Sequence, residues 1–129
     1  MLKTGILNPE ILSLIARVRH TNTLVIADRG FPYWSLIETM DISLFDNVPT
    51  VLQVFEALKV NFVIGQIFMA EEFKAENETS VRQTFADSRG DIPITYEQHD
   101  EFKLRVPKAI GLIRTGDTTQ YANMIIESA

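Results

Sequence analysis

Residues 20–32 read HTNTLVIADRGFP, and this stretch decides how the chain folds. The apolar, partly β-branched run at 24–26 is typical of a short buried strand, and it stops at Asp28, just before Gly30. Ligands of open α/β sheets bind beyond the carboxyl ends of the strands, which makes the Asp28 carboxylate a candidate ligand group. The alternative interpretation is that Asp28 only caps the turn that follows the strand.

Helices and strands are predicted to alternate on either side of this stretch. Upstream, Asn8 and Pro9 indicate a helix start, and the helix is expected to end at His20 with cations in its last turn. Downstream, Thr50 is expected to cap a second helix. Further helices are predicted at 79–86 and 100–108, and further strands at 38–44, 62–70, 92–96 and 121–126, while residues 109–113 form an apolar run without an assigned element. This alternation predicts an α/β fold, here a single domain over 1–129 with a mixed central sheet flanked by helices.

Composition restricts the classes of function. The 129 residues carry a net charge of −5 and the basic residues are scattered singly, which argues against nucleic-acid binding. There is no cysteine, so disulfides, thiolate catalysis and cysteine-bound zinc are excluded. No run approaches the ~20 apolar residues of a membrane helix, and the N-terminus lacks the apolar region of a signal peptide. We therefore expect a cytoplasmic protein that does not bind membranes.

The chain has two histidines, and their expected settings differ. His20 should lie at the end of a helix, where the dipole favours the imidazolium form, and His99 at the start of another, where it favours neutral imidazole. Two imidazoles, one favoured in its protonated form and the other in its neutral form, suit acid–base catalysis near neutral pH. Two alternatives stay open. Both histidines can be ordinary surface residues at helix ends, or His20, Asp28 and His99 can form a two-histidine, one-carboxylate metal site.

Three further polar residues are candidates for binding a ligand. Lys103 follows His99 by four residues and so shares its helix face, from which it can reach a hydroxyl or phosphate group. Tyr121 and Asn123 alternate with Ala122, which puts a phenol and an amide on one side of an extended chain, where they can hydrogen-bond hydroxyl groups. Solvated positions on a helix and on an edge strand would explain the same pattern.

Five segments carry a resemblance to a known family. They read GILNPEI, HTNTLVIADRGFP, MDISL, EQHDEFK and IRTGDTTQYAN, and they occur in family order over nearly the whole chain. On these motifs, of which the last is the most specific, the chain resembles the RbsD/FucU family of D-ribose pyranases and L-fucose mutarotases. The N-terminal segment and the segment around His99 are more similar to the ribose type.

The resemblance implies a function and a set of site residues. It implies an isomerase, without cofactor or bound metal, that interconverts pyranose, furanose and anomeric forms of a free monosaccharide, with D-ribose as the first expectation. His20 would be the catalytic acid, paired with Asp28, while Asp28, His99, Tyr121 and Asn123 would bind the sugar. The family fold is an α/β sandwich that assembles into homo-oligomers, commonly decamers of two stacked pentameric rings, with sugar clefts between neighbouring subunits.

Departures from the family pattern leave other functions open. Arg29 stands where ribose pyranases usually have a small residue or cysteine, their loop lacks the pair Tyr33 and Trp34, and Gln120 replaces a frequent proline. Tyr33 or Trp34 can stack on the apolar face of a sugar, or pack at a subunit contact. The alternatives are a sugar-binding or transport-accessory protein with little catalysis, and a fucose-type mutarotase.

Overall fold

A computed structural model describes all 129 residues, with six strands, five α-helices and one 3-10 helix. The strands are β1 (Thr23–Ala27), β2 (Thr39–Asp41), β3 (Ile64–Ala70), β4 (Ile94–Glu97), β5 (Gly111–Arg114) and β6 (Met124–Ser128). The α-helices are α1 (Pro9–Ala16), α2 (Val51–Lys59), α3 (Glu71–Glu76), α4 (Thr79–Arg89) and α5 (His99–Arg105), and the 3-10 helix follows at Val106–Lys108. None of these helices has the length and apolar character needed to span a membrane.

The six strands form one mixed sheet in the order β2-β5-β1-β6-β3-β4. β1 and β2 both run parallel to β5, and β3 runs parallel to β4. β6 lies between β1 and β3 and is antiparallel to both. The other five strands therefore share one direction, and their carboxyl ends lie at one edge of the sheet, called here the carboxyl edge. The expected α/β fold with a mixed central sheet and flanking helices is confirmed.

Each face of the sheet packs against its own hydrophobic cluster. In β1, Leu24 and Ile26 point to one face and Val25 and Ala27 to the other, as the two-residue period of a strand requires. Helices α1, α2, α3 and α4 contribute to the first cluster. Helix α5, the 3-10 helix and the loop at 31–37 contribute to the second. The sheet is thus the middle of three layers, which fixes the direction of every strand end.

Local sequence sets where α1 and α2 begin. The Asn8 side-chain oxygen accepts two backbone N–H groups of the first turn of α1, at 2.9 and 3.0 Å. Thr50 and Gln53 form a reciprocal capping box at the start of α2. Both helix starts confirm the sequence pattern.

Other element bounds differ from the pattern. Helix α1 ends at Ala16, so the expectation that His20 closes this helix is wrong. Helix α3 forms where polar and charged residues predicted no element, and its one buried side chain, Phe73, anchors it to the core. Tyr121, the expected first residue of the last strand, has a left-handed backbone conformation with φ 54°, which a strand does not allow.

The loop between β2 and α2 packs tightly on Gly116. The Asn47 N–H donates to the Gly116 oxygen at 2.6 Å, and the Gly116 N–H donates to the Pro49 oxygen at 2.9 Å. A Cβ atom at position 116 would lie 2.1 Å from the main-chain oxygen of Phe45. Only glycine permits these two segments to approach so closely.

We expect Gly116→Ala to lower the free energy of unfolding by about 3 kcal/mol, the upper end of the cost of overpacking, because the obstacle is backbone. Gly30→Ala is the matched control, since a Cβ there meets only the Asp28 carboxylate, at an ordinary 3.7 Å. Urea titration of both variants measures the difference. Equal stabilities would contradict the close approach at Gly116.

Candidate functional site

A pocket of about 380 Å³ opens at the carboxyl edge of the sheet. Nine residues line it: Asp28, Gly30, Phe31, Pro32, His99, Lys103, Gln120, Tyr121 and Asn123. They come from the segment after β1, from α5, which follows β4, and from the segment before β6. The position agrees with the rule that ligands of α/β sheets bind beyond the carboxyl ends of the strands. The structure therefore brings together Asp28, His99, Tyr121 and Asn123, with Lys103 beside them.

Hydrogen bonds hold Asp28 in the wall of the pocket. Its backbone N–H donates to the Asn123 Oδ1 at 2.7 Å, which joins the end of β1 to the residue before β6. Its own carboxylate accepts the Gly30 N–H at 3.0 Å. One carboxylate oxygen closes the turn, as the turn interpretation of Asp28 requires, and the same side chain lines the pocket, so its ligand role stays a prediction.

Burial raises the pKa of the Asp28 carboxyl above its ordinary value of 3.8. The Gly30 N–H and the Asn123 amide oppose this rise by hydrogen bonding, and the negative charge of Asp117 adds to it. A carboxyl group with a raised pKa holds its proton closer to neutral pH and is a stronger base when ionised. Asp28 therefore suits general acid–base chemistry.

His99 is the first residue of α5, and its ring is held by aromatic contacts. It packs edge-on to Tyr121 with ring centroids 5.1 Å apart and stacks over Phe102 at 6.1 Å. Its backbone N–H donates to both carboxylate oxygens of Glu72 at 3.1 Å. The Nδ1 atom is buried and has no hydrogen-bond partner within the protein.

The left-handed turn at Tyr121 brings its phenol to the pocket. Asn77 stabilises this turn, since its side-chain amide donates to the main-chain oxygen of Gln120 at 2.8 Å. The prediction that Tyr121 and Asn123 lie on one side is confirmed, but the extended chain on which it relied is not present. Lys103 shares the pocket face of α5 with His99, as the four-residue spacing predicted.

His20 lies far from this pocket. It is exposed in the turn before β1, and its Nδ1 lies 2.6 Å from the main-chain oxygen of Ala129. Asp28 follows the other end of β1, a strand of five residues, so the strand alone separates them by roughly 15 Å at about 3.3 Å per residue. Within one chain His20 and Asp28 therefore do not pair. The alternative metal site of His20, Asp28 and His99 does not form within one chain either.

The residues that depart from the family pattern lie outside the pocket, except Gln120. Arg29 forms an ion pair with Asp46 at 2.7 Å and lines a separate groove. Tyr33 is 72% exposed, and Trp34 packs against the second hydrophobic cluster. Their loop lines the pocket with Gly30, Phe31 and Pro32 and not with Tyr33 or Trp34.

Sequence reasoning missed one residue close behind the pocket. Asp117 is a charged residue with 3% exposure, and its main-chain oxygen accepts the Arg29 N–H at 3.0 Å. The available signal was its place within IRTGDTTQYAN, the segment that also holds Tyr121 and Asn123.

We expect Asp28→Asn to stabilise the protein relative to the wild type, and increasingly so as the pH rises. Because the folded pKa of Asp28 is raised, its contribution to stability is fully present below the ordinary value of 3.8 and is lost as the pH rises through the folded pKa. Asparagine cannot ionise and does not suffer this loss. Urea titrations at pH 3 to 8 measure the difference between the two proteins.

Asp41→Asn is a control of opposite sign. The Ser43 hydroxyl, with the Ser43 N–H and Arg114, lowers the pKa of Asp41, so its contribution is present above 3.8 and is lost as the pH falls through the folded pKa. This variant should lose stability at neutral pH and recover towards the wild type in acid. Parallel pH trends for the two variants would contradict the raised pKa of Asp28.

Known proteins resemble this chain over its whole length. The model of the RbsD / FucU transport protein family matches residues 1–129. A D-ribose pyranase of Geobacillus thermodenitrificans is 39% identical over 128 residues, which cover 99% of this chain and 96% of that protein.

Two solved structures resemble the fold. The structure of Bacillus subtilis RbsD complexed with D-ribose superposes with a TM-score of 0.92 at 32% identity, covering 100% of this chain and 98% of that one. The fucose mutarotase of Streptococcus pneumoniae, in complex with L-fucose, has a TM-score of 0.76 at 20% identity, covering 99% and 98%. At that identity the second likeness concerns the fold alone.

Proposed function

This chain belongs to the RbsD/FucU family, and we propose on that premise that it is an isomerase that interconverts the ring forms of a free monosaccharide, with D-ribose as its substrate. One observation supports the proposal most strongly. Asp28, His99, Lys103, Tyr121 and Asn123 converge on one polar pocket at the carboxyl edge. Carboxylate, imidazole, ammonium, phenol and amide groups together can pair with the several hydroxyl groups of a sugar.

The reaction needs only the movement of two protons. Ring opening gives one proton to the ring oxygen as its bond to the anomeric carbon breaks, and removes one from the anomeric hydroxyl as the carbonyl forms. Closure through a different hydroxyl changes the ring size, and closure onto the other face of the carbonyl changes the anomer. Positioned acid–base groups supply ~10²–10⁴-fold each. Asp28, as carboxylate, is the proposed base for the anomeric hydroxyl.

We propose that the acid is His20 of a second copy of the chain. Its Nδ1 is occupied by the Ala129 oxygen at 2.6 Å, so this hydrogen bond orients the ring and leaves Nε2 free towards solvent. His20 is exposed and lies at the edge of the sheet opposite to the pocket. A head-to-tail contact between copies would bring this face of one chain to the pocket of the next, and such contacts close into rings.

The assembly and the cellular setting are proposed on the same premise. Repeated head-to-tail contacts are consistent with the pentameric rings, stacked as a decamer, that the family resemblance implies. The family is described as one of transport proteins, which supports a cytoplasmic role beside ribose uptake. The position of Arg29 outside the pocket weakens the argument for a binding protein without catalysis.

Exchange NMR on free sugars tests the activity. The wild-type protein should accelerate ring-form exchange of D-ribose by at least about 10²-fold, the lower range for one acid–base group. Asp28→Asn should lose this acceleration, and the exposed Asp91→Asn should keep it. Saturation transfer from protein to ribose without faster exchange would instead indicate a binding or transport-accessory protein. Faster exchange of L-fucose than of D-ribose would indicate a fucose-type mutarotase.

Mixing two inactive variants tests whether the site is shared. A mixture of His20→Ala and Asp28→Asn proteins should recover activity. The Asp28→Asn chain still has His20 and can place it at the intact pocket of a neighbouring His20→Ala chain. Random mixing at equal amounts restores about a quarter of the sites in a ring of head-to-tail contacts. The pair Asp28→Asn and His99→Ala is the control, since both residues belong to the pocket of one chain and no mixture repairs it. Subunit exchange without recovery in the first pair would contradict a shared site.

A further inference from the structure

Asp117 lies behind the Asp28 turn, in the segment that joins β5 to β6. Its side chain is buried, with Oδ2 accepting the Val51 N–H and Oδ1 accepting the Thr119 N–H, both at 2.8 Å. Val51 is the first residue of α2. The carboxylate therefore links the start of a helix to the loop that ends in Tyr121 and Asn123.

The same loop holds the backbone on both sides of Asp28. The main-chain oxygen of Asp117 accepts the Arg29 N–H at 3.0 Å. The Thr115 hydroxyl donates to the Ala27 oxygen at 2.8 Å and accepts the Asp117 N–H at 3.2 Å. The residues before and after Asp28 are thus both fixed by positions 115–117, so a displacement of Asp117 would displace the Asp28 carboxylate.

The negative charge of Asp117 also affects Asp28. Asp117 takes part in no salt bridge, although a buried carboxylate without a charged partner is unfavourable for folding. Burial is the largest cause of the raised pKa of Asp28, and the charge of Asp117 adds to it. An asparagine at position 117 could accept only one of the two N–H groups and could not exert this electrostatic effect, because an amide has one acceptor oxygen and no charge.

We propose that Asp117 is a positioning residue for the isomerase reaction: its buried carboxylate fixes the loop at 115–117 and thereby the turn that holds Asp28 in the wall of the pocket. Asp117 does not line the pocket, so it acts through Asp28 and not on the sugar. The inference rests on the proposed function, in which Asp28 removes the proton of the anomeric hydroxyl.

Asp117→Asn removes the charge at nearly constant shape, together with one of the two hydrogen bonds, because an amide has a single acceptor oxygen. The maximal exchange rate on D-ribose should fall about tenfold, a fraction of the 10²–10⁴-fold that an acid–base group supplies, while the KM stays nearly unchanged. The low-pH limb of the rate profile should move to lower pH, because Asp28 loses the negative charge that raises its pKa. The other titratable groups around Asp28, namely His99, Lys103 and Tyr121 in the pocket and the adjacent Arg29, are unchanged.

Val51→Pro tests the hydrogen bond and keeps the charge of Asp117. Proline removes the N–H that Oδ2 accepts, and it is favoured at the first position of a helix. The preceding Thr50 is extended, with φ −86° and ψ 163°, as a residue before proline must be. The rate should fall less than in Asp117→Asn, and the pH profile should keep its position. Asp91→Asn, an exposed change of the same charge at the opposite edge of the sheet, should behave as the wild type.

A carboxyl-carbon NMR titration of Asp28 separates this inference from the activity itself. If the wild type does not accelerate the ring-form exchange of any sugar tested, the proposed function fails. A lower titration midpoint of Asp28 in Asp117→Asn would still support the electrostatic link between the two carboxylates. If the wild type is active, unchanged rates in both folded variants together with an unchanged Asp28 midpoint overturn the role of Asp117. Should Asp117→Asn not fold, an unchanged rate in folded Val51→Pro overturns the positioning role.

Discussion

The site depends on one hydrogen bond between residues that are distant in sequence. The Asp28 N–H donates to the Asn123 side chain at 2.7 Å because β6 runs antiparallel to β1 and so begins where β1 ends. A parallel strand in this place would put its first residues at the opposite edge. The reversed direction of this single strand therefore brings the Tyr121 turn beside the ends of β1 and β4 and completes the pocket.

This arrangement places two negatively charged side chains close together at the proposed site. Asp28 and Asp117 are two carboxylates near one strand end, and burial together with their mutual repulsion raises the pKa of Asp28. Keeping two carboxylates close together in a buried setting costs stability. The hydrophobic packing on both faces of the sheet offsets this cost. The backbone N–H groups of Val51 and Thr119 satisfy Asp117 by hydrogen bonds, so the surrounding loop is fixed while its charge remains uncompensated.

The sequence predicted the layers of this fold better than its turns. The apolar run at 24–26 and the cap at Thr50 act over a few residues, and both are confirmed. The family resemblance, and no local pattern, implied that Asp28 and His99 share a site; in the structure both follow strands of one direction, whose ends meet at one edge. The turn at Tyr121 depends instead on tertiary hydrogen bonds such as that from Asn77, which no local pattern encodes. The burial of Asp117 likewise depends on α2, 66 positions away at Val51.

His20 is close to Asp28 in sequence but distant from it in the fold. The sequence places it eight residues from Asp28, a separation that a reversal of the chain in a turn could close. The intervening strand β1 instead holds them at opposite edges of the sheet. In the proposed reaction the acid and the base must meet on one sugar, so the separation within a chain makes the complete site a property of the assembly. A free subunit would retain the pocket and its polar groups but lack the acid. Sugar binding and sugar isomerisation would then differ in their dependence on protein concentration, because only isomerisation requires the contact between copies.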